Sequence, residues 1–218
     1  MHRFYHSNPL DLNQIIILDE FSSHHALRVM RVKVDDFLIL FNGDGFEYRG
    51  RVSDINKKTI NVEILSKEKN NSESPININL FQSISSNEKM DMVIQKATEL
   101  GVSSIQPIIT SRSTIKLSLD RTKKRLIHWK QVSISACEQS GRSKIPTIKS
   151  PIEIDQISEG IKTNSLNMLL HPDILEESSN LPNEYSGDIN IFIGPEGGFS
   201  QDEVLLLKKQ NCINIQLG

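Results

Sequence analysis

From residue 76 onward, short apolar runs alternate with stretches of helical periodicity, and that alternation leaves few folds open. The runs cover residues 76–84, 104–110, 166–170, 189–193 and 213–217. Between the first two lies a helix reaching Leu100, with Ser85 and Glu88 at capping-box spacing and Gly101 as its stop. A long helix follows over 121–140, with Leu126, Trp129, Ser133, Ala136 and Cys137 along one stripe and Gly141 at its end. A third helix spans 200–210. Strands alternating with helices build a mainly parallel α/β sheet, because a parallel pair needs a crossover connection and a helix supplies it.

The first third of the chain reads differently. An apolar run at 37–41 meets the turn Asn42-Gly43-Asp44-Gly45, and strands resume over 47–55 and from Ile60 through Val62 and Ile64. One short helix over 22–30, with a serine N-cap, is expected among them. Several short strands and one helix in about seventy residues predict a small β-barrel. Residues 67–75 are polar, lack periodicity and end in Pro75, which reads as a linker. The expected division is therefore 1–72 and 73–218.

Composition excludes several classes. Hydrophobic residues make up 37% of the 218, enough for a packed core, yet no apolar run approaches the length that spans a bilayer. The start, MHRFYHSNPL, has no secretory apolar stretch, so a cytoplasmic protein is expected. Cys137 and Cys212 lie in no ligand pattern, so no metal is expected and both read as reduced thiols. The net charge of −2 hides an uneven distribution: ten Lys/Arg against two acids between Arg112 and Lys149, reversing to eleven acids against three lysines from Ser150 onward. A local basic segment fits either a phosphate-contacting surface or a solvated helix face.

Parallel sheets bind ligands at the carboxyl ends of their strands. Three such ends carry unusual sequence: Leu170-His171-Pro172, Gly194-Pro195-Glu196-Gly197-Gly198, and Leu217-Gly218. The second has three glycines between an apolar strand and a helix start, where Ser200 and Glu203 have capping-box spacing. Such a loop lets main chain approach a ligand closely. It lacks the lysine and hydroxyl of a phosphate loop and the spacing of a dinucleotide loop, so phosphates are not its main handle.

These motifs, in this order, resemble the 16S rRNA (uracil-N3) methyltransferase family, RsmE, of the SPOUT class. The resemblance is carried by His2-Arg3-Phe4, His25-Ala26-Leu27-Arg28-Val29-Met30-Arg31, Gly43-Asp44-Gly45, Lys96-Ala97-Thr98-Glu99-Leu100-Gly101-Val102, Ala136-Cys137-Glu138-Gln139-Ser140-Gly141-Arg142, and the three strand ends above. It implies an N-terminal PUA-like β-barrel that holds RNA and a C-terminal SPOUT α/β domain with a trefoil-knotted sheet. It also implies a homodimer and S-adenosylmethionine gripped by Leu170, His171, Gly194, Pro195, Glu196, Gly197, Gly198, Leu217 and Gly218. The family pattern continues past Leu-Gly with an arginine-containing stretch and a last helix; here the sequence stops at Gly218, so an incomplete knot is expected.

The implied substrate is 16S rRNA of the small ribosomal subunit. Methylation at uracil N3 needs an unpaired base, loss of the N3 proton, a cation near the anion, and alignment with the sulfonium methyl. Arg142 is the candidate cation, for base or phosphate. Gln139 is either a base-edge contact or a helix cap. Glu196 either orients substrate and accepts a proton or favours the helix dipole. Arg28, Arg31, Lys123, Lys124 and Arg125 are the expected phosphate contacts. The competing expectation is an RNA-binding or ribosome-assembly protein without catalysis.

Overall fold

The computed structural model describes residues 1–113, 118–161, 164–171 and 185–215. The chain forms two compact units, Met1–Glu73 with Ile134–Ile145, and Ser74–Ser133 with Pro146–Gly218. Residues 134–145, expected in the second domain, thus belong with the first.

The first unit holds β1 (His2–Tyr5), β2 (Ile15–Ile17), α1 (Glu20–Arg28), β3 (Phe37–Phe41), β4 (Phe46–Ile55) and β5 (Ile60–Lys69). They form one sheet in the order β1-β3-β4-β5-β2, with only β1 and β3 parallel. Alternate residues Leu38 and Leu40, Tyr48 and Val52, and Ile60, Val62 and Ile64 point to one core, as the period of two requires. The β3–β4 turn follows its sequence: Gly43 and Gly45 have φ of 95° and 88°, and the Asp44 carboxylate accepts from Phe46 N at 2.9 Å and Tyr48 Oη at 2.6 Å.

Two expectations fail here. Helix α1 is capped by Asp19, which accepts from Ser22 N at 2.8 Å, so its cap lies three residues before Ser22, the expected one. Asp and Ser cap about equally well, and here Ser22 Oγ itself donates to Asp19 at 2.8 Å, so the carboxylate takes the cap position. The polar run at 67–75 is not a free linker. Residues 67–69 complete β5 against β4, and Lys67 Nζ sits 4.3 Å from the Phe46 ring centroid. Polarity misled because this exposed strand end still pairs with β4 and sets its lysine ammonium over two aromatic rings.

Beyond β5, Asn70 Nδ2 donates to Gly141 O at 2.8 Å and Ser143 Oγ at 2.9 Å. Arg3 donates to Arg142 O and Ser143 Oγ, each at 3.1 Å, and pairs with Glu47. Glu138 accepts from Tyr5 N at 3.0 Å. These bonds explain why residues 134–145 join this unit.

The second unit holds β6 (Asn77–Ser83), α2 (Asn87–Glu99), β7 (Ser104–Ile109), β8 (Thr147–Ile148), β9 (Ile152–Glu153), β10 (Leu166–Leu170), β11 (Asp188–Ile193), α4 (Gln201–Lys209) and β12 (Cys212–Ile215). Helix α3 (Leu119–Ser140) contributes its residues up to Ser133. Among the described residues every strand pair is parallel, in the order β12-β10-β11-β6-β7-β8, with β9 also on β7. Side chains bury on both faces. Phe81 stacks on Phe192 at 4.5 Å, with Leu169, Phe199 and Leu207 around them. Leu80, Met90, Ile94, Ile105 and Trp129 form the other layer. The expected stripe on α3 is buried at Trp129, Ser133, Ala136 and Cys137. The Ser85–Glu88 capping box does not form; Ser86 is the N-cap and makes no side-chain cap bond.

Gly50 and Glu138 give two tests. A Cβ on Gly50 would lie 2.4 Å from Val62 Cγ1 and 3.2 Å from Glu63 O. Val62 is buried and stiff at χ1, so Gly50→Ala is expected to cost about 1–3 kcal/mol, read as a lower Tm. Burial pushes the Glu138 carboxyl above its ordinary value of 4.5, against the bond from Tyr5. Its neutral form is favoured in the fold, so its contribution is full below pH 4.5 and is lost as pH rises through the higher folded value. Glu138→Gln is expected to flatten that decline in a pH series of thermal melts; an unchanged slope refutes the assignment.

Candidate functional site

Parallel pairing brings the carboxyl ends of β6, β7, β10 and β11 to one edge of the second unit, with Gln82, Pro107, Leu170 and Ile193 in register across it. Everything that follows these strands therefore converges there. After β11 the chain turns at once. Gly198 N donates to Pro195 O at 2.8 Å, and Gly198 takes a φ of 69°. Gly194 is required by close approach: a Cβ there would meet the Phe199 ring at 3.1 Å and its backbone N at 3.2 Å. At Gly197 a Cβ would meet only Arg112 Cδ, at 3.5 Å. The expected capping box then starts α4. Ser200 N donates to Glu203 Oε2 at 2.7 Å, and Glu203 N donates back to Ser200 Oγ at 3.3 Å.

Hollows flank this loop. One, of about 610 Å³, is lined by Arg112, His171, Glu196, Gly197, Gly198 and Gln201. The other, of about 830 Å³, is walled by apolar groups of α2, β6 and β11 and reaches Leu170, Gly194, Pro195 and Glu196. Both volumes fit a small organic ligand. His171 Cε1 lies 3.5 Å from the place a Cβ on Gly198 would take, and its Nδ1 is buried without a hydrogen-bond partner among the described residues. A buried polar atom of this kind is costly unless something pairs with it.

Of the expected cofactor residues, Leu170, His171 and 194–198 thus gather at one edge. Leu217 and Gly218 lie outside the described residues. Glu196 is exposed and paired with Lys89, whose ammonium holds the carboxyl below its ordinary value. It stays ionised near neutrality and is a weak base.

The other expected catalytic residues have different surroundings. Arg142 belongs to the first unit and is 5% exposed. Its guanidinium donates to both Glu73 oxygens, Nε at 3.2 Å and Nη2 at 2.7 Å. A buried arginine needs such a partner, and the pair neutralises the cation expected to face a uracil anion. Gln139 is exposed in the last turn of α3, in the same unit. Among the expected phosphate contacts, Arg28, Arg31, Lys123 and Lys124 are exposed. Arg125 is half-buried with its guanidinium 6.0 Å from the Trp129 ring, and burial lowers its pKa. Among the described residues no His/Cys/Asp/Glu group is placed to hold a metal, and no helix is long and apolar enough to cross a membrane.

Sequence reasoning missed Arg112, Glu73 and Lys89. Arg112 was counted only as charge, and Glu73 sat inside the supposed linker. Only the fold brings Lys89 from α2 to Glu196.

The family model for an RNA methyltransferase domain matches residues 72–218, and that for an RNA methyltransferase PUA domain matches 18–65. The chain belongs to the ribosomal RNA small subunit methyltransferase E family. The enzyme of that name from Buchnera aphidicola (Acyrthosiphon pisum) is 35% identical, over 99% of this chain and 85% of the relative. The Neisseria gonorrhoeae family member, solved bound to S-adenosyl methionine, matches with a TM-score of 0.90 at 33% identity, covering 100% of this chain and 89% of that one. A Legionella pneumophila protein solved with bound cofactor SAM matches with a TM-score of 0.92 at 36% identity, covering 99% and 88%.

For this family member, Lys89→Ala is expected to return the Glu196 carboxyl toward its ordinary range, read by carbon NMR titration. Stability should hardly change, since both partners are exposed. A Glu196 that titrates as before would show that the pair does not persist in solution.

Proposed function

We propose that the chain transfers the methyl group of S-adenosylmethionine to N3 of a specific uridine in 16S rRNA of the small ribosomal subunit. The observation that carries this reading is the glycine loop at the carboxyl edge, beside the unpaired, buried Nδ1 of His171. Main chain of the glycine loop, an imidazole nitrogen and the apolar Leu170 face the hollows; the cations that also line them are engaged, Lys89 by Glu196, Lys96 by Glu99 and Arg112 by Gly197 O, so the lining suits a nucleoside better than a phosphate. Leu170, His171 and 194–198, together with Leu217 and Gly218, would hold the cofactor, which supplies a sulfonium methyl to N3 as its C–S bond breaks.

The protein's part is positioning and charge. The N3 proton must leave, and an ionised Glu196 at the rim of both hollows is an acceptor for it or for a base edge. Gln139 is exposed and can offer its amide to such an edge. For Arg142 to face a uracil anion, its bond to Glu73 has to open; paired, it fixes the turn after α3. The exposed Arg28, Arg31, Lys123 and Lys124, with Arg125, take phosphates. We further propose that residues 1–72 act as a PUA-like β-barrel, that 73–218 are a SPOUT domain of the trefoil-knotted class with the knot incomplete over this sequence, and that the protein works as a cytoplasmic homodimer.

Calorimetry with S-adenosylmethionine tests the reading. Binding in the micromolar range is expected for the parent, and none for Gly197→Trp, whose side chain enters the hollow without a backbone clash. No binding by the parent at millimolar ligand removes the methyltransferase reading. Tritiated methyl transfer to small subunits lacking the mark, followed by nucleoside mapping, tests the N3 position.

A further inference from the structure

The turn after β7 makes no expected contact with a cofactor, yet its side chains and backbone are densely hydrogen-bonded. Thr110 N donates to Ser113 Oγ at 3.1 Å, and Ser113 N to Thr110 O at 2.9 Å. Ser83 Oγ, at the end of β6, lies 2.9 Å from Thr110 Oγ1 and 3.1 Å from Ser113 Oγ. The third side, Thr110 Oγ1 to Ser113 Oγ, measures 2.8 Å. This hydroxyl triangle fixes the turn to the sheet.

From the fixed turn, contacts of opposite polarity reach the glycine loop. The Arg112 guanidinium donates to Gly197 O and, at 3.4 Å, to Phe199 O. Ser111 N donates to Glu203 Oε1 at 2.7 Å, while Glu203 Oε2 takes Ser200 N. A capping box uses one carboxylate oxygen. Here the second oxygen binds a turn 92 residues away, and Glu203 is only 6% exposed. The carbonyls that Arg112 holds flank Gly198, whose φ of 69° is open to many alternatives in a loop of three glycines.

We propose that Arg112 and Glu203 are positioning residues for cofactor binding: they brace the glycine loop from the β7 turn in the shape that receives S-adenosylmethionine. The inference rests on the cofactor reading above. Without the brace, the loop's ordering entropy falls on the binding step. Arg112 is exposed, so its loss should affect binding more than folding.

The test compares the parent with Arg112→Ala, Arg112→Lys and Glu203→Gln. Four readouts apply: S-adenosylmethionine Kd by calorimetry, KM and kcat in methyl transfer, RNA affinity, and Tm. Arg112→Ala is expected to raise Kd and KM for the cofactor about tenfold, the scale of one lost charge-assisted bond. Its kcat should stay within about twofold, as for lost ground-state binding. RNA affinity should not move, and Arg112→Lys should restore part of the loss. Glu203→Gln places an amide donor against an N–H and should shift Kd in the same direction. Unchanged cofactor affinity in Arg112→Ala overturns the proposal, as does a loss that follows Tm alone, or a fall in RNA affinity instead. A parent that fails to bind defeats the cofactor reading and this inference together; a parent that binds beside an equally tight Arg112→Ala defeats only the inference.

Discussion

The all-parallel pairing of the second unit is the constraint on which the rest depends. Parallel strands cannot be joined by tight turns, so each connection crosses a face and every strand delivers its carboxyl end to the same edge. His171, the glycine loop and the Thr110–Ser113 turn come from three separate stretches of sequence and meet only for that reason. At the opposite strand ends, a polar row sets the alignment. Ser104 Oγ donates to Asn79, Asn79 to Asn190, Asn190 to Asn167, and Asn167 to Gln210 O, at 2.6 to 3.0 Å. A slip of one residue would turn these amides to the other face and leave them unsatisfied, so the row specifies register where apolar packing alone would tolerate error.

Charge is used in ways that a count of lysines and arginines does not separate. The basic segment supplies Arg112 to the main chain of the glycine loop, Arg125 to the face of Trp129 and Arg142 to Glu73. Lys123 and Lys124 remain exposed and available to phosphate. A guanidinium in a fixed fork suits carbonyls and carboxylates, whereas an ammonium on a flexible stem keeps its hydration, and the division here follows that difference.

Much of the site was legible because glycine and capping residues act locally. Gly194-Pro195-Glu196-Gly197-Gly198 followed by Ser200 and Glu203 states a turn and a helix start without help from elsewhere, and the coordinates agree. The serine cap of α1 and the Ser85–Glu88 box failed for a related reason: several side chains near a helix start can compete for the same N–H groups, and packing selects among them. The supposed linker failed because polarity alone does not distinguish a solvated loop from an exposed strand end whose lysine ammonium sits over aromatic rings.

Sequence by itself determined the alternation of elements, the parallel character of the larger sheet, the glycine loop and the family, since each is written in short-range periodicity or contiguous motifs. Tertiary structure alone decided that Arg142 faces Glu73, that Lys89 meets Glu196, and that a distant turn reaches the glycine loop through Arg112 and the start of α4 through Ser111 N on Glu203. Those partners lie between 69 and 107 residues apart. No local pattern encodes such pairs, because they exist only once sheet order and register have set which strand ends and loops stand side by side.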